Sequence, residues 1–135
     1  MTLECLVTII AGIFGLMVGS FLNVCIVRLP ANLSVVRPRS RCPRCEKPIA
    51  WYDNVPVLSW LVLRGKCRGC GLPISPMYPA VELLTGAIWA LMAWSYPLDP
   101  EALRGALFFT ILLGIALTDV REYIIPDEFT YGGLA

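Results

Sequence analysis

The sequence contains no histidine. This absence excludes a histidine general base and every Ser-His or Cys-His nucleophile pair, and it removes the commonest metal ligand. Charged residues are also scarce, at 16% of the chain, where a soluble globular domain has about 25%. Since the hydrophobic fraction is 57% and the mean hydropathy is +0.69, the composition excludes a soluble monomer. Any chemistry falls to carboxylates, cysteines and lysines.

Long apolar runs take the place of the missing charge. Residues 5–27 form a run long enough to cross a bilayer core, and it lacks the basic start and Ala-x-Ala site of a cleaved signal peptide. Two shorter runs cover residues 78–96 and 103–118. The sequence predicts an all-α integral membrane protein of about three transmembrane helices. The first lies in residues 1–27, and the other two, with the start of a next segment, lie in residues 78–135.

Small residues recur along the first run, at Gly12, Gly15, Gly19 and Ser20. This pattern is typical of helices that approach one another closely in lipid. Glycine is also frequent in transmembrane helices generally. The pattern alone favours neither interpretation.

Basic residues are concentrated between the first and second runs. Residues 28–77 hold nine of the eleven Lys and Arg residues and only two acidic ones, Glu46 and Asp53. Loops rich in Lys and Arg stay in the cytoplasm, which predicts a cytoplasmic loop 28–77 and an outside turn at 97–102. Orientation and attraction to anionic headgroups account for this charge. We therefore expect membrane lipid, and no nucleic acid, as its partner.

Four of the six cysteines form two Cys-x-x-Cys pairs in this basic loop. Cys42 pairs with Cys45, and Cys67 pairs with Cys70; each pair is followed by Pro-Ile, so the segment is an internal repeat. The spacing is close to that of a four-cysteine zinc site. A loop with few large apolar residues builds little core, so we expect a structural Zn²⁺ ion to order a small zinc-ribbon-like unit.

Two alternatives to zinc stay open at this stage, an iron site of rubredoxin type and a redox-active cysteine pair. Disulfides are disfavoured because the loop is expected in a reducing compartment. Cys5 and Cys25 lie in the first apolar run and are interpreted as small hydrophobic residues.

Carboxylates within or beside apolar runs are costly and therefore suggest function. Asp119 follows the third run at the inner boundary. Glu82 lies about one turn into the second run, where the helix dipole gives an equally good structural reason for an anion, and Glu4 can reach water. Pro126 restricts the residue before it, which predicts that Asp119 ends one helix and that Asp127 begins the next.

Several motifs together resemble the type IV prepilin peptidases of bacteria, membrane aspartyl proteases that also N-methylate their products. The motifs are Gly19-Ser-Phe-Leu-Asn-Val-Cys-Ile-Val-Arg-Leu-Pro30, the paired cysteines, Asp53-Asn-Val-Pro56, Pro73-Ile-Ser-Pro-Met-Tyr-Pro79-Ala-Val-Glu82-Leu, and Asp119 followed by Ile125-Pro126-Asp127. They cover essentially the whole chain.

The resemblance implies a multi-pass protein of the bacterial inner membrane that cleaves the leader of type IV prepilins or type II secretion pseudopilins. It also implies methylation of the new N-terminal residue from S-adenosylmethionine. In the family pattern Asp119 is the first catalytic aspartate. We interpret Asp127 and Glu82 as supporting residues, and the four loop cysteines as metal ligands.

The family's second catalytic aspartate lies in a Gly-x-Gly-Asp segment, which none of the eleven glycines here forms. Because an aspartyl protease needs two carboxylates, we expect a fragment or truncated product, or a partner chain that supplies the missing half; Asp127 is the least favoured substitute. Two other hypotheses are a non-enzymatic membrane module whose zinc loop binds a pilus or secretion component, and a membrane thiol oxidoreductase. The charge distribution disfavours the oxidoreductase.

Overall fold

The computed structural model describes the backbone of residues 1–134 except positions 33, 35, 37–40 and 43, and side chains as far as Arg121 with the same exceptions. The elements are α1 (Leu3–Arg28), a 3-10 turn (Trp51–Asn54), α2 (Leu58–Val62), α3 (Met77–Ser95) and α4 (Pro100–Leu134). Within these described residues no β-strand is present, and pairing is limited to two isolated antiparallel bridges.

Three helices are long and apolar enough to cross a membrane: Leu3–Arg28, Met77–Ser95 and the Pro100–Arg121 part of α4. Most of their large apolar side chains are exposed rather than buried inside the protein, as expected of surfaces whose solvent is lipid. The predicted all-α class with about three transmembrane helices is confirmed.

The closest helix contact is between α1 and α3, along the small residues of α1. A Cβ atom added at Gly15 would lie 2.7 Å from Trp89 Cβ and 2.9 Å from Gly86 Cα, and one added at Gly19 would lie 2.7 Å from Glu82 Cα. No side chain fits at such distances. The structure therefore decides the ambiguous glycine pattern in favour of close helix approach.

The fourth helix packs against both α3 and α1. Its polar contact with α3 is buried: Trp89 Nε1 donates to Thr110 Oγ1 at 3.0 Å, and the Thr110 hydroxyl donates to the Ala106 carbonyl at 2.7 Å. A hydroxyl that both accepts and donates leaves no polar atom unpaired in this apolar contact.

The predicted helix end at Asp119 and the new start at Asp127 are wrong, because α4 is one helix as far as Leu134. Proline removes one hydrogen bond and crowds the preceding turn, but transmembrane helices tolerate it where neighbouring groups satisfy the freed carbonyl. The Asp127 side chain lies outside the described residues.

We expect Gly19→Ala to destabilise the α1–α3 contact by about 1–3 kcal/mol, the usual cost of overpacking. Gly12→Ala is the matched control, since its methyl group would lie 3.4 Å from Ala90 Cβ, an ordinary contact. Equilibrium unfolding in mixed detergent micelles measures both variants. Equal stabilities would contradict the close approach.

Candidate functional site

Each Cys-x-x-Cys pair lies in a tight turn, and the two turns make the same hydrogen bonds. In the first, Cys42 N–H donates to the Lys47 carbonyl at 3.2 Å, and the Cys42 carbonyl accepts from Glu46 N–H at 2.9 Å. In the second, Cys67 N–H donates to the Leu72 carbonyl and the Cys67 carbonyl accepts from Gly71 N–H, both at 2.9 Å. An isolated bridge closes each turn, Arg41 with Pro48 and Lys66 with Pro73. The sequence repeat is therefore a structural repeat.

The two turns bring four thiols together. All four Sγ atoms lie within 4.8 Å of one another, with Cys42 Sγ 3.7 Å from Cys70 Sγ and Cys45 Sγ 3.9 Å from Cys67 Sγ. A tetrahedral ion with bonds of about 2.3 Å to sulfur needs ligands about 3.8 Å apart, whereas a disulfide needs about 2.05 Å. The predicted cysteine cluster is confirmed, and its spacing fits a tetrathiolate metal site.

Backbone donors favour ionisation of two of these thiols. Hydrogen bonds from the Cys45 and Arg44 backbone lower the pKa of Cys42 to about 6. The Cys70 and Gly69 backbone lowers the pKa of Cys67 in the same way. Thiolate is the form that ligates metal, so these turns prepare two of the four ligands.

The pKa of Cys70 is raised to about 11, although the Leu72 backbone hydrogen bond acts to lower it. Burial and hydrogen bonding with the neighbouring thiols outweigh that backbone bond. Four thiolates at this spacing repel one another, and a divalent cation is the group that would compensate their charge.

The second cysteine turn is joined to the 3-10 turn and to α2. Arg68 Nε donates to Asp53 Oδ2 at 2.8 Å, and Arg68 Nη2 donates to Asp53 Oδ1 at 2.9 Å. The guanidinium carbon of Arg68 also lies 5.6 Å from the centroid of the Tyr52 ring. Hydrogen bonding to Asp53 raises the pKa of Arg68. Trp60 Nε1 donates to the Ile74 carbonyl at 3.3 Å. The loop elements therefore form one connected unit around the cysteines.

Glu82 connects this unit to the membrane helices. Its Oε2 accepts from Val57 N–H at 2.6 Å, its carboxyl group has a side-chain hydrogen bond with Ser20 of α1, and its residue is 9% exposed. Val57 has a positive φ of 62°, which is strained for a β-branched residue. One turn before Glu82 in α3, the Tyr78 carbonyl accepts from Asn23 Nδ2 of α1 at 3.0 Å. The bond from Val57 fixes the loop against α3, and the bond from Asn23 joins α3 to α1.

A cavity of about 760 Å³ lies between the loop and the ends of α1 and α3. Two carboxylates line it: Asp53, which is paired with an arginine, and Glu82, which accepts from a backbone N–H. The aromatic residues Tyr52 and Trp60 also line it. No Lys or Arg forms an ion pair with Glu82 in the part of the chain that the structure describes. Five basic residues also line the cavity: Arg28, Arg41, Arg44, Lys47 and Arg68. The cavity therefore combines aromatic surface and the Glu82 carboxylate with an excess of basic side chains.

Asp119 lies elsewhere, at the end of an apolar groove of about 540 Å³ between α1 and α4. Its side chain is exposed, and Leu29, Pro30 and Thr118 line the groove beside it. The groove and the cavity use different residues of α1. The structure thus brings the four cysteines together but places Asp119 and Glu82 in separate spaces.

Sequence reasoning missed Val57, which positions the loop, and Asn23, which joins α1 to α3. Asn23 carried a detectable signal, because a buried amide within an apolar run requires a partner. Val57 carried none, since neither its residue type nor its neighbours indicate a positive φ.

Comparison with known proteins identifies the family of this chain. The bacterial peptidase A24 N-terminal domain family matches residues 13–96. The chain belongs to this family. Curated relatives named prepilin leader peptidase/N-methyltransferase include those of Myxococcus xanthus, 48% identical over 90% of this chain, Klebsiella pneumoniae, 42% identical over 86%, and Bacillus subtilis, 38% identical over 86%.

The match to the family covers α1 from residue 13 onward, the cysteine loop and the whole of α3. The chain spans 36% of the length of the Myxococcus relative, 54% of the Klebsiella relative and 47% of the Bacillus relative. No solved structure gives a significant match.

We expect the purified protein to contain about one metal ion per chain. Cys42→Ser and Cys67→Ser should each lose it, because a hydroxyl replaces one of four thiolates in a closed site. Elemental analysis after size-exclusion chromatography gives the ratio and the identity of the metal. Cys25→Ser is the matched control and should retain the ion. Metal-free wild-type protein prepared under reducing conditions would contradict the site.

Proposed function

We propose that this chain is the N-terminal portion of a membrane aspartyl peptidase that removes the leader of type IV prepilins or pseudopilins and methylates the new N-terminus. The observation that carries the proposal is the position of Asp119, a carboxylate exposed at the end of a mostly apolar groove in a member of the peptidase A24 family. The names of the curated relatives support both activities.

Asp119 supplies one half of the chemistry in this proposal. One carboxylate of an aspartyl protease takes a proton from the attacking water while the other protonates the leaving amine. The relatives extend well beyond the matched region, and we propose that the second carboxylate comes from that remaining part. It would enter at the open end of the groove, where Asp119 is exposed.

The cysteine cluster has a structural role in the proposal, with Zn²⁺ as its ion. Cys42, Cys45, Cys67 and Cys70 would supply all four ligands of a tetrahedral ion, which would leave no position for water or substrate. The histidine-free, all-sulfur ligand set also suits zinc. The ion would stabilise the loop and take no part in peptide cleavage.

We place the methyl donor, S-adenosylmethionine, in the cavity between the loop and the helix ends. Its volume of about 760 Å³ is within the range of small-molecule sites. The donor is a sulfonium cation that supplies the methyl group, and it also carries a carboxylate. The Glu82 carboxylate and the Trp60 ring would lie beside the sulfonium, and basic residues of the same cavity such as Arg41 and Lys47 would bind the carboxylate. The new N-terminal amine of the peptide would be the acceptor.

We expect Asp119→Asn in the full-length protein to reduce leader cleavage by about 10²–10⁴-fold, because an amide cannot take the proton from water. Asp99→Asn, in the turn before α4, is the matched control and should cleave normally. Cleavage of a prepilin in membranes, followed by mass spectrometry, measures both. Full activity of Asp119→Asn would overturn the assignment.

The same assay separates the two activities if it is repeated with an already cleaved peptide and S-adenosylmethionine. Asp119→Asn should then methylate normally. Glu82→Gln keeps an acceptor for Val57 N–H but removes the charge, so it should cut methylation while leaving cleavage near normal. Loss of both activities in Glu82→Gln would assign that residue to structure instead.

The proposed location is the bacterial inner membrane, with the loop in the cytoplasm. We expect Asp99→Cys to react with a membrane-impermeant maleimide on intact cells and Lys47→Cys to react only after lysis, because the basic residues should remain inside. Cys5 and Cys25 are replaced by serine in both variants. The reverse pattern of labelling would invert the topology.

A further inference from the structure

The outer face of α2 is apolar and exposed. Leu58, Leu61 and Val62 are 62%, 57% and 75% exposed, and residues spaced three and four apart lie on one side of a helix. Trp51, in the 3-10 turn that contacts α2, is 82% exposed. Three large apolar side chains thus share one side of α2 and a fourth is exposed on the adjoining turn, and we call these four residues the α2 surface.

The orientation of α2 is fixed by its other face. Ser59 is buried and donates to the Tyr52 carbonyl at 2.9 Å, while the Trp60 indole donates to the Ile74 carbonyl at 3.3 Å. Rotating α2 to bury its apolar side chains would break both bonds. The α2 surface therefore faces away from the loop.

The attachment of the loop to α3 places the α2 surface at the level of the membrane boundary. Val57, just before α2, bonds to Glu82, which follows Met77, the first residue of α3, by five positions or about 7.5 Å along the axis. The 19 residues of α3 extend about 28 Å, close to the roughly 30 Å hydrocarbon thickness. The start of α2 thus lies beside the membrane end of α3.

Charge beside this surface identifies the lipid class. Arg64 and Lys66 follow α2 directly, both are exposed, and neither forms an ion pair within the described part of the chain. Residues 28–77 carry nine basic against two acidic side chains. Anionic headgroups attract such segments, and tryptophan concentrates at membrane interfaces.

We propose that the α2 surface inserts into the interface of an anionic bilayer, with Arg64 and Lys66 bound to lipid phosphates. The loop would then be attached to the membrane at three places, the ends of α1 and α3 and the α2 surface. The inference rests on the membrane location of the helices and not on the proposed catalysis.

The test uses the whole chain, with its metal and with Cys5 and Cys25 replaced by serine, in nanodiscs. An environment-sensitive fluorophore is attached at Val62→Cys, a position exposed enough to change without loss of packing. Lipids carrying a nitroxide near the headgroup act as the quencher. The matched control is the same fluorophore at Lys47→Cys, which lies in the first cysteine turn.

We expect quenching at position 62 to be at least about twofold stronger than at position 47 in nanodiscs containing phosphatidylglycerol, and weaker in phosphatidylcholine alone, since the attraction is electrostatic. Arg64→Gln with Lys66→Gln should remove the difference between the lipids. A retained metal ratio shows that each labelled protein keeps its loop.

Three results would overturn the proposal. Equal quenching at positions 62 and 47 would place the α2 surface in water. A blue-shifted, unquenched fluorophore at position 62 would show that protein covers it. Equal quenching at position 62 in both lipids would remove anionic lipid as the ligand.

Discussion

The approach of Gly19 to the α3 backbone at Glu82 is the contact on which the rest of the structure depends. A Cβ at Gly19 would lie 2.7 Å from Glu82 Cα, so the two helices cross with main chain against main chain. The Val57–Glu82 bond, which holds the loop, and the Asn23–Tyr78 bond, which joins α1 to α3, lie within about one turn of this crossing. The position of the loop relative to the bilayer is therefore set by the helix crossing, and any side chain at Gly19 would separate the groups that dock it.

The loop needs such external support because it has almost no core. In the described part of the chain between positions 41 and 76, only Cys42, Ser59 and Gly65 are buried, far too little apolar area to offset the ordering of that many residues. Two short turns, each closed by its own hydrogen bonds, bring four thiols to distances that suit the corners of a tetrahedron. A metal ion contributes to folding through bonds rather than buried area, and Glu82 and the Asp53–Arg68 ion pair connect the resulting unit to the helices and to the 3-10 turn.

The features that sequence predicts well here depend on short segments alone. Hydropathy marks the three spans because the transfer of each residue to lipid is nearly independent of its neighbours, and the cysteine cluster follows from spacing because two identical turns need no distant contact. The features it did not predict depend on distant partners. The small residues around Gly19 fit either close packing or none, and the Val57 bond to Glu82 needs a positive φ that a β-branched residue does not signal. The local sterics of Pro126 predict a break in the helix, but α4 continues through this proline as far as Leu134.

The cavity beside Glu82 and the groove that ends at Asp119 lie against different faces of α1. Asn23 and Ser20 line the cavity beside Glu82, whereas Leu22 and Cys25 line the groove that ends at Asp119. In the proposed function, cleavage and methylation then take place on two sides of one helix, and the new amine must pass the cytoplasmic end of α1, near Arg28 and Pro30, to reach the methyl donor. That end is also where the loop begins. A loop held against the membrane would fix the width of this passage, so the metal and the α2 surface would both act on transfer between the two reactions.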